Sequence, residues 1–178
     1  EYPFSQLRKK VGMVPQQAVL FKGTIRDNMK WGKEDASEEE IQRALSIAQA
    51  SGFVKSKPEG LNTMVSQGGA NLSGGQRQRL TIARALVGDP EILIMDDSAS
   101  ALDFATDAAL RHAIHEQTKG MTVFIVSQRA TSIKQADKIL VLDAGELAGV
   151  GTHKELMEYC EVYREICLSQ LSEQEVNR

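Results

Sequence analysis

The sequence predicts an α/β fold with a parallel sheet, and three observations support this prediction. Apolar strand-like runs alternate with amphipathic helical patterns, the arrangement typical of parallel sheets with helical crossovers. The runs over 92–95 and 122–126 are continuously apolar, as in strands buried on both faces. The stretch over 24–69 carries only helix and loop patterns, which indicates a helical insertion between two strands of the sheet.

Each element of the first half has its own local signal. A short apolar run predicts a strand over 10–15, and a short helix is predicted over 24–31. Ser37-Glu38-Glu39-Glu40 has the pattern of a capping box, which opens a helix. We expect that helix to run to about Ser51 and to stop at Gly52.

The second half returns to alternating elements and ends on helices. Capping patterns, apolar periodicity and turn residues predict these further elements: a helix over 73–87, a strand over 92–95, a helix over 107–119, a strand over 122–126, a short helix over 129–135, strands over 138–143 and 146–151 joined as a hairpin at Ala144-Gly145, and a terminal helix opened by Thr152-His153-Lys154-Glu155.

The bulk composition excludes several classes of protein. The chain has 178 residues, 42% of them hydrophobic and 25% charged, as expected for one globular domain. No apolar run approaches the ~20 residues of a spanning helix. A net charge of −3 gives no reason to expect a nucleic-acid partner. The two cysteines, Cys160 and Cys167, form no metal-ligand pattern with the histidines and are expected to be small reduced hydrophobic residues.

The segment Leu72-Ser73-Gly74-Gly75-Gln76 carries the strongest chemical signal. Ser73 can cap a helix while Gln76 reaches back, which satisfies two backbone amides. Two glycines let a ligand or another chain approach the backbone closely. Free amides at the positive end of a helix suit a phosphate, so this helix start is a candidate phosphate site. The three arginines downstream on this helix, Arg77, Arg79 and Arg84, are basic, and a solvated face accounts for Arg77 and Arg84.

An apolar strand pattern that ends in Asp96-Asp97 follows this segment, and together they resemble the nucleotide-binding domain of ABC transporters. The pentapeptide matches the ABC signature without a change, and the run over 92–96 resembles the Walker B strand. The segment Val14 to Ile25 resembles the Q-loop region of exporter-type members. Ser100-Ala101-Leu102-Asp103 resembles the D-loop. The fold implied is a P-loop NTPase-like parallel-sheet core with an inserted helical subdomain.

The resemblance implies a substrate and a metal ion for specific residues. ATP and Mg²⁺ are the implied ligands: Asp96 would hold Mg²⁺ through water, and Gln16 would sense Mg²⁺ and couple to the membrane domain. Residues 72–76 would contact ATP, and Asp103 would cross to the partner domain in a head-to-tail dimer. The implied partners are a transmembrane domain of the same transporter and a second ABC half, at the cytoplasmic side of the cell membrane.

One motif of the family is missing from these residues. The Walker A loop needs the pattern G-x-x-x-x-G-K-[ST]. The nearest candidate, Gly32-Lys33, has Asp27 where the first glycine should stand, and Glu34 follows the lysine. We expect the motif to lie upstream of Glu1, so that the chain is truncated at its N-terminal side and hydrolyses no ATP alone.

Three further departures concern the site and its coupling to transport: the first two affect the chemistry and the third affects the coupling. Asp97 stands where the family has its catalytic glutamate, and its carboxylate is about 1.5 Å shorter in reach. Gln128 replaces the switch histidine, and an amide cannot carry a proton at neutral pH. Gln67 replaces the glutamate usual in the X-loop of exporters. Asp97 and Gln128 together indicate the degenerate subunit of a heterodimeric exporter, whose intact signature completes the partner's site.

Other interpretations remain open from the sequence alone. The two substitutions could be tolerated in a working homodimer. A soluble ABC ATPase of DNA repair or translation shares the signature and Walker B, although the exporter-like segment over 14–25 argues against it. A regulatory domain that binds nucleotide without turnover is a third possibility. Under the leading interpretation, residues 1–23 form the Q-loop strand and loop, 24–88 the helical subdomain with the signature, 89–152 the Walker B, D-loop and switch core, and 153–178 the C-terminal helices and tail.

Overall fold

The computed structural model describes residues 2–98, 101–118 and 120–170. It divides into two compact units, Glu1–Val126 and Ser127–Arg178, which are described separately. The first unit contains these elements in chain order: α1 (Phe4–Lys10), β1 (Val11–Val14), β2 (Gly23–Thr24), α2 (Ile25–Lys30), α3 (Glu38–Ile47), α4 (Ser51–Lys55), β3 (Met64–Val65), α5 (Gly74–Leu86), β4 (Ile92–Asp96), α6 (Phe104–Gln117) and β5 (Thr122–Val126).

The first unit is built on a parallel three-stranded sheet in the order β1-β4-β5. Helices alternate with these strands, so the α/β prediction with a parallel sheet is confirmed. Gly12 lets α5 approach β1 closely, because a β-carbon at this position would lie 2.6 Å from the carbonyl oxygen of Ala85. The sheet therefore packs against the signature helix on one face.

The prediction that 92–95 and 122–126 are buried on both faces is wrong. Leu93 and Met95 of β4 are buried, whereas the alternate residue Ile94 is only half-buried. In β5, Phe124 is exposed. Successive side chains of a strand point to opposite faces, so this alternation means that one face of the sheet is covered and the other is open in part. A continuously apolar run does not by itself distinguish these cases.

The segment between β1 and β4 is largely helical, and it shares one hydrophobic core with the sheet. The fully buried side chains that α2, α3 and α5 contribute to this core include Ile25, Met29, Ile41, Leu45, Leu80 and Ile82. An antiparallel pair of short strands, β2 and β3, encloses α2, α3 and α4 within this segment. A strand of two residues has no periodicity, so this pair could not be predicted from the sequence.

The helix predicted from Ser37 to about Ser51 ends early. α3 stops at Ile47, and Gln49 has a left-handed backbone with φ of 56°. A second helix, α4, then begins at Ser51 and includes Gly52, so Gly52 does not stop a helix as predicted. Glycine is the usual residue in the left-handed position after a helix, so a glutamine at this position does not predict a helix end. The break at Gln49 was therefore not visible in the pattern.

Side-chain caps fix the starts of the main helices. The predicted capping boxes at Ser37, Ser73 and Thr152 are all present, and Thr24 forms a fourth. α6 begins at Phe104 rather than Asp107, because the carboxylate of Asp103 accepts the amide of Thr106 and caps the helix earlier.

The second unit contains α7 (Ala130–Ile133), β6 (Ile139–Asp143), β7 (Glu146–Gly151), α8 (His153–Tyr159) and α9 (Glu161–Gln170). The predicted hairpin is confirmed: β6 and β7 are antiparallel, and both turn residues, Ala144 and Gly145, have positive φ. Cys160 and Cys167 are buried free thiols in its core, as expected. No helix of the described residues has the length and apolar character needed to cross a membrane.

Candidate functional site

Two acidic residues lie where β4 ends. Asp96 is the last residue of β4, and the amide of Asp97 donates to the carbonyl of Val126 at 2.8 Å, which extends the pairing with β5 by one bond. Asp97 then leaves the strand with φ of 41°. Asp and Asn adopt this left-handed region more readily than other non-glycine residues. The chain can therefore turn sharply at Asp97 without a glycine.

Gln16 reaches the same edge of the sheet. It follows β1, and the carboxyl ends of the neighbouring parallel strands β1 and β4 meet at one edge. The side-chain Nε2 of Gln16 donates to Oδ2 of Asp97 over 3.5 Å. The structure thus brings together Gln16 and Asp97, two of the side chains that the sequence assigned to one nucleotide site.

These residues have the donor chemistry of a magnesium site. Carboxylate and amide oxygens are the protein ligands that Mg²⁺ prefers, and Asp96 and Gln16 supply one of each. The described residues contain no cluster of three or more acidic, histidine or cysteine side chains that could hold a metal ion. Mg²⁺ bound with a nucleotide usually takes one or two carboxylates from the protein and its other ligands from phosphate and water.

Ser73-Gly74-Gly75-Gln76 forms the capped start of α5. The hydroxyl of Ser73 accepts the amide of Gln76 at 3.2 Å, and the side-chain Oε1 of Gln76 accepts the amide of Ser73 at 3.1 Å. The preceding Leu72 is buried and anchors this turn. The amides of Gly74 and Gly75 lie in the first turn, where a helix offers no acceptor of its own. This end of α5 can therefore donate hydrogen bonds to an anion.

The chain's own fold does not require glycine at positions 74 and 75. Neither residue has a positive φ. A β-carbon at Gly74 would have its nearest neighbour 4.0 Å away, and one at Gly75 would lie 3.4 Å from the carbonyl oxygen of Ala101. By contrast, a β-carbon at Gly32 would lie 2.1 Å from the carbonyl oxygen of Arg84. Gly32 is needed for internal packing, whereas Gly74 and Gly75 leave an open backbone.

The D-loop residues lie beside this helix start. The carbonyl oxygen of Ala101 lies 3.4 Å from the place where a β-carbon of Gly75 would stand, and Asp103 caps α6. The backbone amide and the hydroxyl of Thr106 both donate to the Asp103 carboxylate, which lowers the pKa of that carboxyl below its ordinary value. The first residue of the predicted D-loop, Ser100, lies outside the described residues.

The expectation of a solvated arginine face on α5 is wrong. Each of the three guanidinium groups donates to a backbone carbonyl of a different segment. Arg77 donates to Leu72 at 2.6 Å, Arg79 to Gln49 at 2.7 Å and Arg84 to Val19 at 2.9 Å. Sequence reasoning missed these contacts because helical spacing cannot show which loops pass over a helix.

Gln128 belongs to the second unit and is exposed; its carbonyl oxygen accepts from the side chain of Gln170 at 2.7 Å. Gln67, the residue that replaces the X-loop glutamate, is exposed in a short turn of the first unit. Both amide side chains are therefore open to ligands or partners.

The chain is similar in sequence to proteins of one family. Residues 2–100 match the family model described as ABC transporter. The chain is 46% identical over 165 residues to a probable multidrug resistance ABC transporter ATP-binding/permease protein, YheI, of Bacillus subtilis, which covers 93% of this chain and 28% of that protein. It is 42% identical to the ATP-dependent lipid A-core flippase of Desulfotalea psychrophila, over 86% of this chain and 27% of the flippase.

A solved structure is also similar. A bacterial Atm1-family ABC exporter with ATP bound superposes with a TM-score of 0.90 at 37% identity, over 95% of this chain and 30% of the exporter chain. The chain thus spans less than a third of the length of each of these relatives.

Proposed function

Because the chain belongs to the ABC transporter family, we propose that it is part of the ATP-binding domain of an exporter. In this proposal ATP binds and is hydrolysed between two such domains arranged head to tail, and hydrolysis drives transport across a membrane. The similar proteins include a probable multidrug resistance transporter, a lipid A-core flippase and an Atm1-family exporter, which supports the exporter class.

The single observation that carries the proposal is the open backbone at Gly74 and Gly75. A glycine in a helix is less favourable than alanine by roughly 0.5–1 kcal/mol, so two in one turn are a cost to the isolated fold. Neither the backbone angles nor internal packing demands them. Their lack of side chains is useful only to something that approaches from outside, and free amides at a helix start suit the phosphates of ATP.

We propose that this surface completes the site of a partner chain. The partner's ATP would lie against Ser73, Gly74 and Gly75, with Leu72 and Gln76 holding the turn and Asp103 holding the adjoining D-loop. The cap shared by Ser73 and Gln76 keeps the turn in place before the ligand arrives, so little ordering is needed on binding.

We propose that Gln16, Asp96 and Asp97 of the first unit belong to the chain's own site, and Gln128 of the second unit is given a role in hydrolysis by the family resemblance alone. In the proposal Asp96 and Gln16 would hold Mg²⁺, and the ion would supply positive charge that offsets the charge of the phosphates. Asp97 polarises the attacking water, and Gln128 contacts the terminal phosphate. The carboxylate of Asp97 is shorter than that of a glutamate, and the amide of Gln128 cannot accept a proton. This site is therefore the slow one of the pair, and the chain is the degenerate half of a heterodimer.

The remaining assignments follow from this arrangement. The other partner is a transmembrane domain of the same transporter, and the domain lies on the cytoplasmic side of the membrane. The residue ranges 1–23, 24–88, 89–152 and 153–178 are proposed as functional segments. A homodimer with two working sites, a soluble ABC ATPase and a regulatory domain without turnover are the alternatives. Active turnover in the full-length protein when it is assembled with itself alone would favour the homodimer.

The proposal is tested with Gly74→Asp in the full-length protein, purified with its partner half. A carboxylate at the first helical position would repel and block the partner's phosphates, so ATP hydrolysis should fall to background. Gly52→Asp is the matched control: Gly52 also lies in the first turn of a helix, and nothing lies within 4 Å of its missing β-carbon. Normal turnover with Gly74→Asp would show that this surface does not face ATP.

A second test concerns these 178 residues alone, which contain no Walker A pattern. We expect no ATP hydrolysis and only weak binding, because that loop supplies most of the phosphate contacts in the family. Micromolar ATP affinity of the 178-residue chain by calorimetry would contradict this expectation.

A further inference from the structure

Arg79 lies two turns into the signature helix α5 and joins separate parts of the first unit. Its Nε donates to the carbonyl of Gly75 at 3.2 Å, and its Nη1 donates to the carbonyl of Gln49 at 2.7 Å. One guanidinium therefore connects the backbone of a signature glycine with the loop between α3 and α4. Among natural side chains, only arginine offers several donors in a rigid planar fork.

The α3–α4 loop is shaped to receive this group. Gln49 has the left-handed backbone that ends α3, and the guanidinium of Arg79 lies 4.9 Å from the centre of the Phe53 ring on α4. Stacking on an aromatic face restricts where the guanidinium can move. Arg79 is thus held by a carbonyl on one side and a ring on another.

The same region adjoins the D-loop. A β-carbon at Gly75 would lie 3.4 Å from the carbonyl oxygen of Ala101, so the D-loop leaves room for only a small side chain at this position. Burial lowers the pKa of Arg79, while the negative charge of Asp103 acts in the opposite direction and favours the charged form. The start of α5 and the α3–α4 loop therefore meet at this arginine, and the D-loop lies beside the same helix start.

We propose that Arg79 is a positioning residue for ATP hydrolysis: it holds Ser73, Gly74 and Gly75 in register with the D-loop and with the helical segment. It touches no nucleotide and acts through the backbone of Gly75. The inference rests on the proposed function, in which this helix start completes the partner's site. A displacement of about 1 Å in a group that contacts the reacting phosphate can cost up to ~10²-fold in rate.

The test compares Arg79→Lys with wild type in the full-length protein, purified with its partner half and with this chain's own site silenced by Asp96→Asn. Lysine keeps the charge but cannot donate to both carbonyls and stack on Phe53 in the same way. We expect kcat to fall by about tenfold or more while KM for ATP changes by less than about threefold, because positioning is lost rather than binding.

Arg43→Lys is the matched control. Arg43 also donates to a backbone carbonyl, that of Gln117 at 3.1 Å, and pairs with a carboxylate, Asp89, but it lies on α3 away from the signature turn. The kcat of Arg43→Lys should stay within about twofold of wild type, since an exposed ion pair of this kind contributes little to stability. Equal losses in the two variants would mean that Arg79 has only a general structural role, which overturns the proposal.

Ser73→Ala, measured in parallel, separates this proposal from the one on which it rests. Unchanged kcat in Ser73→Ala would overturn the assignment of the helix start to a partner's ATP, and the role of Arg79 with it. A loss in Ser73→Ala with unchanged kcat in Arg79→Lys would overturn the role of Arg79 alone. If Arg79→Lys does not fold, Phe53→Leu is measured instead. This variant removes the aromatic ring on which the guanidinium stacks, and an unchanged kcat in Phe53→Leu also overturns the proposal.

Discussion

Gln16 and Asp97, which are far apart in sequence, are joined by a hydrogen bond of 3.5 Å from the amide Nε2 to the carboxylate Oδ2. The contact exists because β1 and β4 are neighbours in a parallel sheet and both residues follow the carboxyl ends of these strands. The residue proposed to sense Mg²⁺ thus bonds directly to the residue proposed to polarise water. Any change in the length of the side chain at position 97 alters this contact.

The first prediction concerns the stability of Asp97→Glu. Asp97 has φ of 41°, a conformation that Asp adopts more readily than Glu. We expect the substitution to destabilise the full-length protein by about 1 kcal/mol or less, which corresponds to a fall of a few degrees in its apparent Tm. Asp97→Asn, which also suits this conformation, is the control and should leave Tm unchanged. A higher Tm for Asp97→Glu would contradict the argument from backbone conformation.

The second prediction is that Gly75→Ala, in the signature, raises stability and lowers ATPase activity. Gly75→Ala should raise the free energy of unfolding by about 0.5–1 kcal/mol, because alanine favours the helix and its β-carbon meets only ordinary contacts. The same change should reduce ATP hydrolysis by narrowing the approach to the backbone. Thermal unfolding and ATPase assays on the same preparation check both parts.

Gly32→Ala provides the contrast for that prediction. Its β-carbon would lie 2.1 Å from the carbonyl oxygen of Arg84, so the backbone must shift and the protein should be destabilised. A Gly75→Ala protein that loses stability as Gly32→Ala does would show that the glycine at position 75 serves internal packing after all.

The third prediction concerns acid stability and Asp103. Its pKa is lowered in the folded state by hydrogen bonds from Thr106, so the carboxylate stabilises the fold. This contribution is complete above the unfolded-state pKa of about 3.9 and is lost as the pH falls through the lower folded-state value. Asp103→Ala should therefore lower Tm at pH 6, and the difference from wild type should shrink as the pH approaches 3. A constant difference over this range would mean that the charge of Asp103 does not contribute.

Much of the fold could be predicted from the sequence because its signals are local. Capping boxes at Ser37, Ser73 and Thr152 and the turn at Ala144-Gly145 depend on neighbouring residues, and the structure contains each of them. The grouping of Gln16 with Asp97 came from the family resemblance and not from periodicity, since strand order is a property of the whole sheet.

The features that sequence reasoning missed depend on distant parts of the chain. The hydrogen bond of Arg79 could not be predicted from the sequence, because its acceptor at Gln49 lies thirty residues earlier in the chain. The exposure of Phe124 depends on which face of β5 is covered, and a run of apolar residues carries no information on that. Packing partners of this kind become visible only in three dimensions.

The last prediction concerns the chain's own site. In the full-length heterodimer, the double substitution Asp97→Glu with Gln128→His should raise hydrolysis at this site, while either change alone should have little effect. A longer carboxylate can reach the attacking water, and an imidazole can hold the phosphate and exchange a proton, whereas an amide cannot. Groups that act as a unit are strongly non-additive, so repair of one leaves the reaction limited by the other.

The assay for this double substitution needs a heterodimer in which the other site does not hydrolyse ATP. ATP hydrolysis is measured in a heterodimer whose other site is disabled by replacement of the partner's catalytic glutamate, so that residual turnover belongs to the site of Asp97 and Gln128. The single-site variants serve as controls, and Asp97→Glu also brings the backbone strain described above. With an intact signature in the partner, no increase in the double variant would show that these two residues do not limit the site. An increase equal to the sum of the single effects would show that they act independently and not as one catalytic unit.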